Sequence, residues 1–123
     1  MNETSLSKYL IKHFRVMGAF VQRLEVTTGA GVPDLAVVRK GKTHWVELKW
    51  ATKHIRSVQF VWGAKAHNAG VFVNYVVGRE KTIELYNIVD AVPMTNTFKV
   101  TKLIATFDKT PAGVEKLLDS LQT

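Results

Sequence analysis

The chain is predicted to fold as an α/β sandwich, a central mixed β-sheet flanked by helices. Segments with helical periodicity and segments with strand-like periodicity alternate along it. One strand–helix–strand step sits among hairpins, so a parallel pair is expected inside an otherwise antiparallel sheet. At 123 residues, 46% of them hydrophobic, the chain is long enough to bury a core. No repeat, low-complexity tract or linker divides it, so residues 1–123 are read as a single domain.

In "SLSKYLIKHFRVMG", Leu6, Tyr9, Leu10, His13, Phe14 and Met17 recur at three- and four-residue steps, the apolar stripe of an amphipathic helix. Lys8, Lys12 and Arg15 fall on its other side, and Gly18 ends it. "AFVQRLEV" alternates as a strand does, and "TTGAG" is a turn. "PDLAVV" and "THWVELKW" read as two strands joined by the tight "RKGK" connection. After the basic loop "ATKHIR", the stretch "SVQFVWGAKAHNAG" reads as a helix with Ser57 as N-cap and Gly70 just past its end. Gly63 inside it weakens the helix by about 1 kcal/mol relative to alanine. "VFVNYVV" is an apolar run suited to a strand buried on both faces. "TIELYNI" and "FKVTKLIATF" are further strands, and "TPAGVEKLLDSLQ" closes the chain as a helix capped by Thr110, with Pro111 in its first turn.

The balance of 17 Lys and Arg against 10 Asp and Glu leaves a net charge of +7, which favours a polyanionic partner. Nucleic acid is the first candidate, and a basic protein with scattered charges is the alternative. No apolar run approaches the roughly 18 residues of a membrane span, so no membrane partner is expected. The opening "MNETSLSKYLIKHF" lacks a basic region followed by an apolar one and does not read as a secretory signal. The absence of cysteine excludes disulfides and thiolate metal sites and fits a cytoplasmic protein, as in a bacterial or phage-infected cell.

Against this basic background, Asp34 and Glu47 are the only acidic residues between Val26 and Arg79. Glu47 and Lys49, two apart on one strand, share a face, with Cα atoms about 6.5 Å apart. If Gly41 and Lys42 form a two-residue loop, Lys40 faces Thr43, Asp34 lies opposite Lys49, and Ala36 lies opposite Glu47. Asp34 and Glu47 then become diagonal neighbours roughly 7–8 Å apart by backbone, close enough to share a small cation. The surrounding residues are mainly Leu, Val, Ala and Trp, so three charges there are costly unless they serve one another or a metal. Two carboxylates with waters and phosphate oxygens suit Mg²⁺, which would activate water and stabilise a phosphodiester in transfer. Lys49 would orient the water, take its proton or stabilise the transition state. The alternative is a buried Asp–Lys–Glu cluster that only fixes strand register.

"GVPDLAVVRKGKTHWVELK" resembles the PD-(D/E)xK nuclease signature, with Pro33-Asp34 and Glu47-Leu48-Lys49 matching its two halves. "SVQFVWGAKAHNAG" resembles the Q-x-x-W helix of the virus-type replication–repair nucleases (VRR-NUC) through Gln59, Trp62 and Gly70. The resemblance spans roughly Glu3 to Val77 by motif order. It implies a restriction-endonuclease-like α-β-β-β-α-β core with a C-terminal strand and helix extension. The implied activity is that of a Mg²⁺- or Mn²⁺-dependent endodeoxyribonuclease. Asp34 and Glu47 would hold the ion with the Leu48 carbonyl, Lys49 would be the catalytic lysine, and Gln59 would support the site. Members also tend to carry an acid on the first helix. Glu3 has the right phase for this, and the alternative is an ordinary helix-start acid. Glu25 is its rival.

Lys53, His54 and Arg56 directly follow the catalytic strand and are expected near the phosphate backbone, or else form a solvated basic loop. Trp45, Trp62 and His13 are expected in the core, and His44, His54 and His67 show no metal spacing. Little chain remains for reading bases, so selectivity for DNA shape is expected. Small stand-alone VRR-NUC members resemble resolvases of branched DNA, which implies a four-way (Holliday) junction as substrate. The two-fold symmetry of a junction suits a homodimer, with the C-terminal strands and helix as its interface. A flap, end-processing or nicking nuclease, and a catalytically inactive DNA-binding protein, are the other classes.

Overall fold

The computed structural model describes residues 1–24, 30–52, 54–88 and 101–123. The order of elements is α1 (Glu3–Val16), β1 (Phe20–Arg23), β2 (Leu35–Arg39), β3 (Lys42–Trp50), α2 (Ser57–Asn68), β4 (Val73–Gly78), β5 (Thr82–Ile88), β6 (Thr101–Asp108) and α3 (Pro111–Ser120). Among the described residues, the strands form one six-stranded sheet in sequence order. Every neighbouring pair is antiparallel except β3 and β4, which are parallel and joined through α2. The chain is therefore α/β with a mixed sheet, as the strand–helix–strand step predicts. Among the described residues, no helix is long and apolar enough to cross a membrane.

Strand alternation splits the interior into two cores. Leu35, Val37, Val46, Leu48 and Val76 pack with Leu6, Leu10 and Phe14 of α1 and Leu117 of α3. Tyr75, Val77, Tyr86 and Ile88 face the other way and pack with Phe60 of α2. β3 and β4 are thus covered on both faces, which explains the near-continuous burial of β4. Trp45 and Trp62 are half-buried and meet edge to face across the second core, with ring centroids 5.7 Å apart. The end of the chain is pinned by Asn74, whose side chain donates to the Gln122 carbonyl at 2.9 Å and accepts from its amide at 2.8 Å.

Three local expectations are corrected. The β2–β3 hairpin turns on Lys40 and Gly41, not on Gly41 and Lys42: Arg39 pairs with Lys42 and Leu35 with Val46. Both turn residues have positive φ (53° and 75°), the backbone whose twist matches the flanking strands, with glycine at the second position. The register moves by two residues, so every side chain keeps its face. Helix α2 is capped by Arg56 rather than Ser57, with the Gln59 side chain accepting from the Arg56 amide at 3.1 Å. The strand expected from Val71 begins at Val73, because the Val71 amide closes the end of α2 by donating to the Ala66 carbonyl at 2.9 Å. Gly63 lies buried inside α2, where a Cβ would stand 2.0 Å from the Tyr75 hydroxyl oxygen. Its cost in helix propensity is the condition for close packing of α2 on β4. The positions of Glu25, Lys53 and residues 98–100 lie outside the described residues.

Candidate active site

Glu47 and Lys49 project from β3 toward α2, opposite in phase to Val46 and Leu48, which enter the first core. Both are buried, at 2% and 8% exposure. A single side chain joins them. Gln59, in the first turn of α2, donates from Nε2 to Glu47 Oε2 at 2.8 Å and accepts from Lys49 Nζ at 2.7 Å on Oε1. An amide has a donor end and an acceptor end, so one glutamine satisfies an anion and a cation at once. Charge-assisted bonds of this kind are what makes burial of such a pair tolerable.

Asp34 arrives from the loop before β2. Its carbonyl accepts from the Leu24 amide at 2.8 Å, and its Oδ2 accepts from the Leu48 amide at 2.8 Å. Continuing the hairpin register one step beyond Leu35 and Val46 sets Asp34 across from Glu47, not from Lys49. Gly31 allows this delivery: its φ is +76°, and a Cβ there would stand 2.1 Å from the Val58 carbonyl oxygen. The loop that carries Asp34 is therefore pressed on the first turn of α2, which also carries Gln59. In a strand, the amide and carbonyl of one residue leave on the same side. The Leu48 carbonyl therefore faces the side that Asp34 occupies.

The electrostatics are those of two carboxylates crowded together. Burial, then the negative charge of Asp34, push the Glu47 carboxyl up to about 8, with Lys49 pulling the other way. Glu3 is also raised, by partial burial first and Asp34 second. A carboxylate held by the fold beside a second one, its proton affinity raised first by burial and then by that neighbour, fits a divalent cation. Tyr75, the register partner of Glu47 on β4, has a buried hydroxyl with no hydrogen-bond partner; burial and then the Glu47 charge raise its pKa.

Glu3 reaches the site from the other side of the sheet. It is exposed at the start of α1 and lines a cavity of about 250 Å³ with Ser7, Arg23, Asp34 and Leu48. Among the described residues, no three His, Cys, Asp or Glu side chains stand close enough to enclose an ion. The Asp34 carboxylate stands between the Leu48 backbone and the Glu47 carboxylate, and Glu3 lines the adjoining cavity. Arg56 is exposed at the start of α2 and its charge is felt by Glu3. His54 is exposed, with its amide on Thr52 Oγ1 at 3.1 Å. His44 lies away from this centre, its Nδ1 3.1 Å from the Gln122 carbonyl oxygen.

Sequence reasoning missed Ser7 and Arg23, joined by a 2.9 Å bond from the guanidinium to Ser7 Oγ. Ser7 lies one helical turn beyond Glu3, so the phase that selects Glu3 selects it as well. Comparison with protein-family models and with curated proteins returns no match.

Proposed function

We propose that this chain is a metal-dependent DNA endonuclease with a restriction-endonuclease-like core, of the PD-(D/E)xK and VRR-NUC kind, acting on branched DNA and foremost on four-way junctions. The observation that carries this reading is the buried Glu47–Gln59–Lys49 chain set beside Asp34. A register-fixing salt bridge would pair Lys49 directly with a carboxylate. Here Lys49 Nζ bonds to an amide oxygen instead, and the two carboxylates are left facing each other.

Asp34, Glu47 and the Leu48 carbonyl would hold Mg²⁺ or Mn²⁺, with Glu3 contributing from the rim. An ion bound there would supply Lewis-acid stabilisation of phosphoryl charge and make a water nucleophilic near neutral pH. Hydrolysis adds the water oxygen to phosphorus and breaks one P–O ester bond, leaving a phosphomonoester and a hydroxyl. Lys49 spends one of its three donors on Gln59 and has two to direct at a phosphate oxygen or the attacking water. Gln59 is a positioning residue that fixes the orientation of both charged partners. The Leu48 amide holds Asp34 in the orientation that faces Glu47. Lys53, His54 and Arg56, at the approach to α2, would position the phosphate backbone.

A homodimer would present two such sites to a two-fold symmetric junction. Supporting this, β6 pairs along one edge with β5 and exposes Leu103 (45%) and Ile104 (39%). The reading is tested by incubating a synthetic four-way junction, a flap and a linear duplex with the protein in Mg²⁺ or Mn²⁺. Paired symmetric cuts in the junction, absent with Asp34→Asn, are expected. Preferential cutting of the flap or duplex would move the assignment to an end-processing or nicking nuclease. Binding without cutting any of the three would leave a DNA-binding protein.

A further inference from the structure

The outward side of α1 forms a second basic surface that the site described above does not use. Lys8, Lys12 and Arg15, with Arg23 from β1, line a groove of about 510 Å³ whose floor is Ile11. Among the described residues, no acidic side chain lines it. Among the described residues, salt bridges join Arg39 to Asp119 and Arg79 to Glu84, and none involves these four cations. Both arginines are held in place by neutral oxygens: Arg15 donates to the Val21 carbonyl at 3.1 Å and Arg23 to Ser7 Oγ at 2.9 Å. Both guanidiniums are fixed in position, and among the described residues neither forms a salt bridge. The cavity beside Met17 and Gly18 is different, since Arg39 and Lys40 there face Glu115 and Asp119.

Arg23 also lines the cavity that holds Glu3, Asp34 and Leu48. The groove is therefore continuous with the candidate active site, and it runs from the first turns of α1 toward its end. Lys8 to Arg15 covers about 10 Å of helix axis at 1.5 Å per residue. One DNA strand carries a phosphate every 3.4 Å or so along the duplex axis, so this length matches about three successive phosphates.

We propose that the α1–β1 groove is the track for the DNA strand flanking the scissile phosphate, with Arg23 gripping the backbone where it leaves the site and Lys8, Lys12 and Arg15 gripping it beyond. The proposal rests on the nuclease reading for its choice of DNA as occupant. These are phosphate contacts, so they set where the strand lies and carry no base preference.

The test measures junction binding by fluorescence anisotropy in Ca²⁺, in an Asp34→Asn background, from 50 to 300 mM salt. Three proteins are compared: the background itself, the same with Lys8→Gln and Lys12→Gln, and the same with Lys40→Gln and Lys42→Gln. The third carries an identical loss of charge at the β2–β3 turn. Each phosphate contact contributes a slope of about 0.9 to the log–log salt dependence, so the α1 pair is expected to lower it by about 1.8. The hairpin pair is expected to leave the slope unchanged. An unchanged slope for the α1 pair, or equal losses for both pairs, would overturn the track. So would loss of self-association with DNA binding intact, which would make the groove a contact between copies of this chain. Thermal melts of the three proteins check that all are folded. Because cleavage is not read, failure of the nuclease reading appears separately, as uncut junction with the unsubstituted protein.

Discussion

Lys49 donates to Gln59 Oε1 at 2.7 Å, and Gln59 in turn donates to Glu47 Oε2, so a neutral amide stands between the buried ammonium and the buried carboxylate. Burial and the neighbouring Asp34 raise the Glu47 carboxyl, and Lys49 offsets only part of that.

Above pH 8, where Glu47 is ionised, Gln59→Glu should be more damaging than Gln59→Met. The glutamate sets a third carboxylate against Glu47, whereas methionine removes the bridge and leaves two buried groups unpaired, at a cost of about 1–3 kcal/mol each. Urea denaturation of the metal-free protein should rank the stabilities native, Met, Glu. Restoration of Glu-variant stability by saturating Mn²⁺, which would compensate the added charge, is expected as well.

Stability of the metal-free protein should depend on pH through Glu47. Its folded carboxyl titrates at about 8 against an ordinary value of 4.5, so the folded state holds the proton more tightly. The contribution is complete below pH 4.5, falls as pH rises, and is exhausted by about pH 8. The slope inside that window is at most about 1.4 kcal/mol per pH unit. Glu47→Gln should flatten it, which thermal melts between pH 5 and 9 would show.

Asp34→Asn and Glu47→Gln should each abolish cleavage while largely sparing DNA binding, and Lys49→Ala should remove turnover while leaving metal uptake. Loss of one charge-stabilising group at a phosphoryl centre costs on the order of a hundredfold or more in rate. Native-like turnover in any of the three would contradict the role given to that residue.

Tyr75→Phe should stabilise the protein, because the hydroxyl it removes is buried without a partner. Gly63→Ala should destabilise it by about 1–3 kcal/mol through the clash with that hydroxyl. Combining the two should recover part of the loss, a coupling that a double-mutant cycle in urea reads directly.

How much of this was legible in the sequence depends on which interaction sets each feature. Strand alternation has period two, so the common face of Glu47 and Lys49 follows from local sequence alone. The hairpin register does not. It turns on whether Lys40 or Lys42 joins Gly41 in the loop, and Gly41 at the second turn position, as in Asn-Gly turns, was the signal for the observed choice. An error of two residues kept every face and shifted each cross-strand partner, so that Asp34 moved from Lys49 to Glu47 and Ala36 from Glu47 to Trp45. Gln59 as a bridge could not be read from spacing, since it needs the first turn of α2 brought beside β3. The continuity of the α1 groove with the site likewise depends on β1 lying beside β2 at the sheet edge, a tertiary fact with no local signature.

The most direct test is calorimetric titration of Mn²⁺ into the protein near pH 7 in buffers of different ionisation enthalpy, with and without junction DNA. Uptake with release of about one proton, the one held by Glu47, is expected, along with loss of uptake in the Asp34→Asn, Glu47→Gln double variant. No uptake even with DNA present, or uptake indifferent to both substitutions, would contradict a metal centre between these two carboxylates.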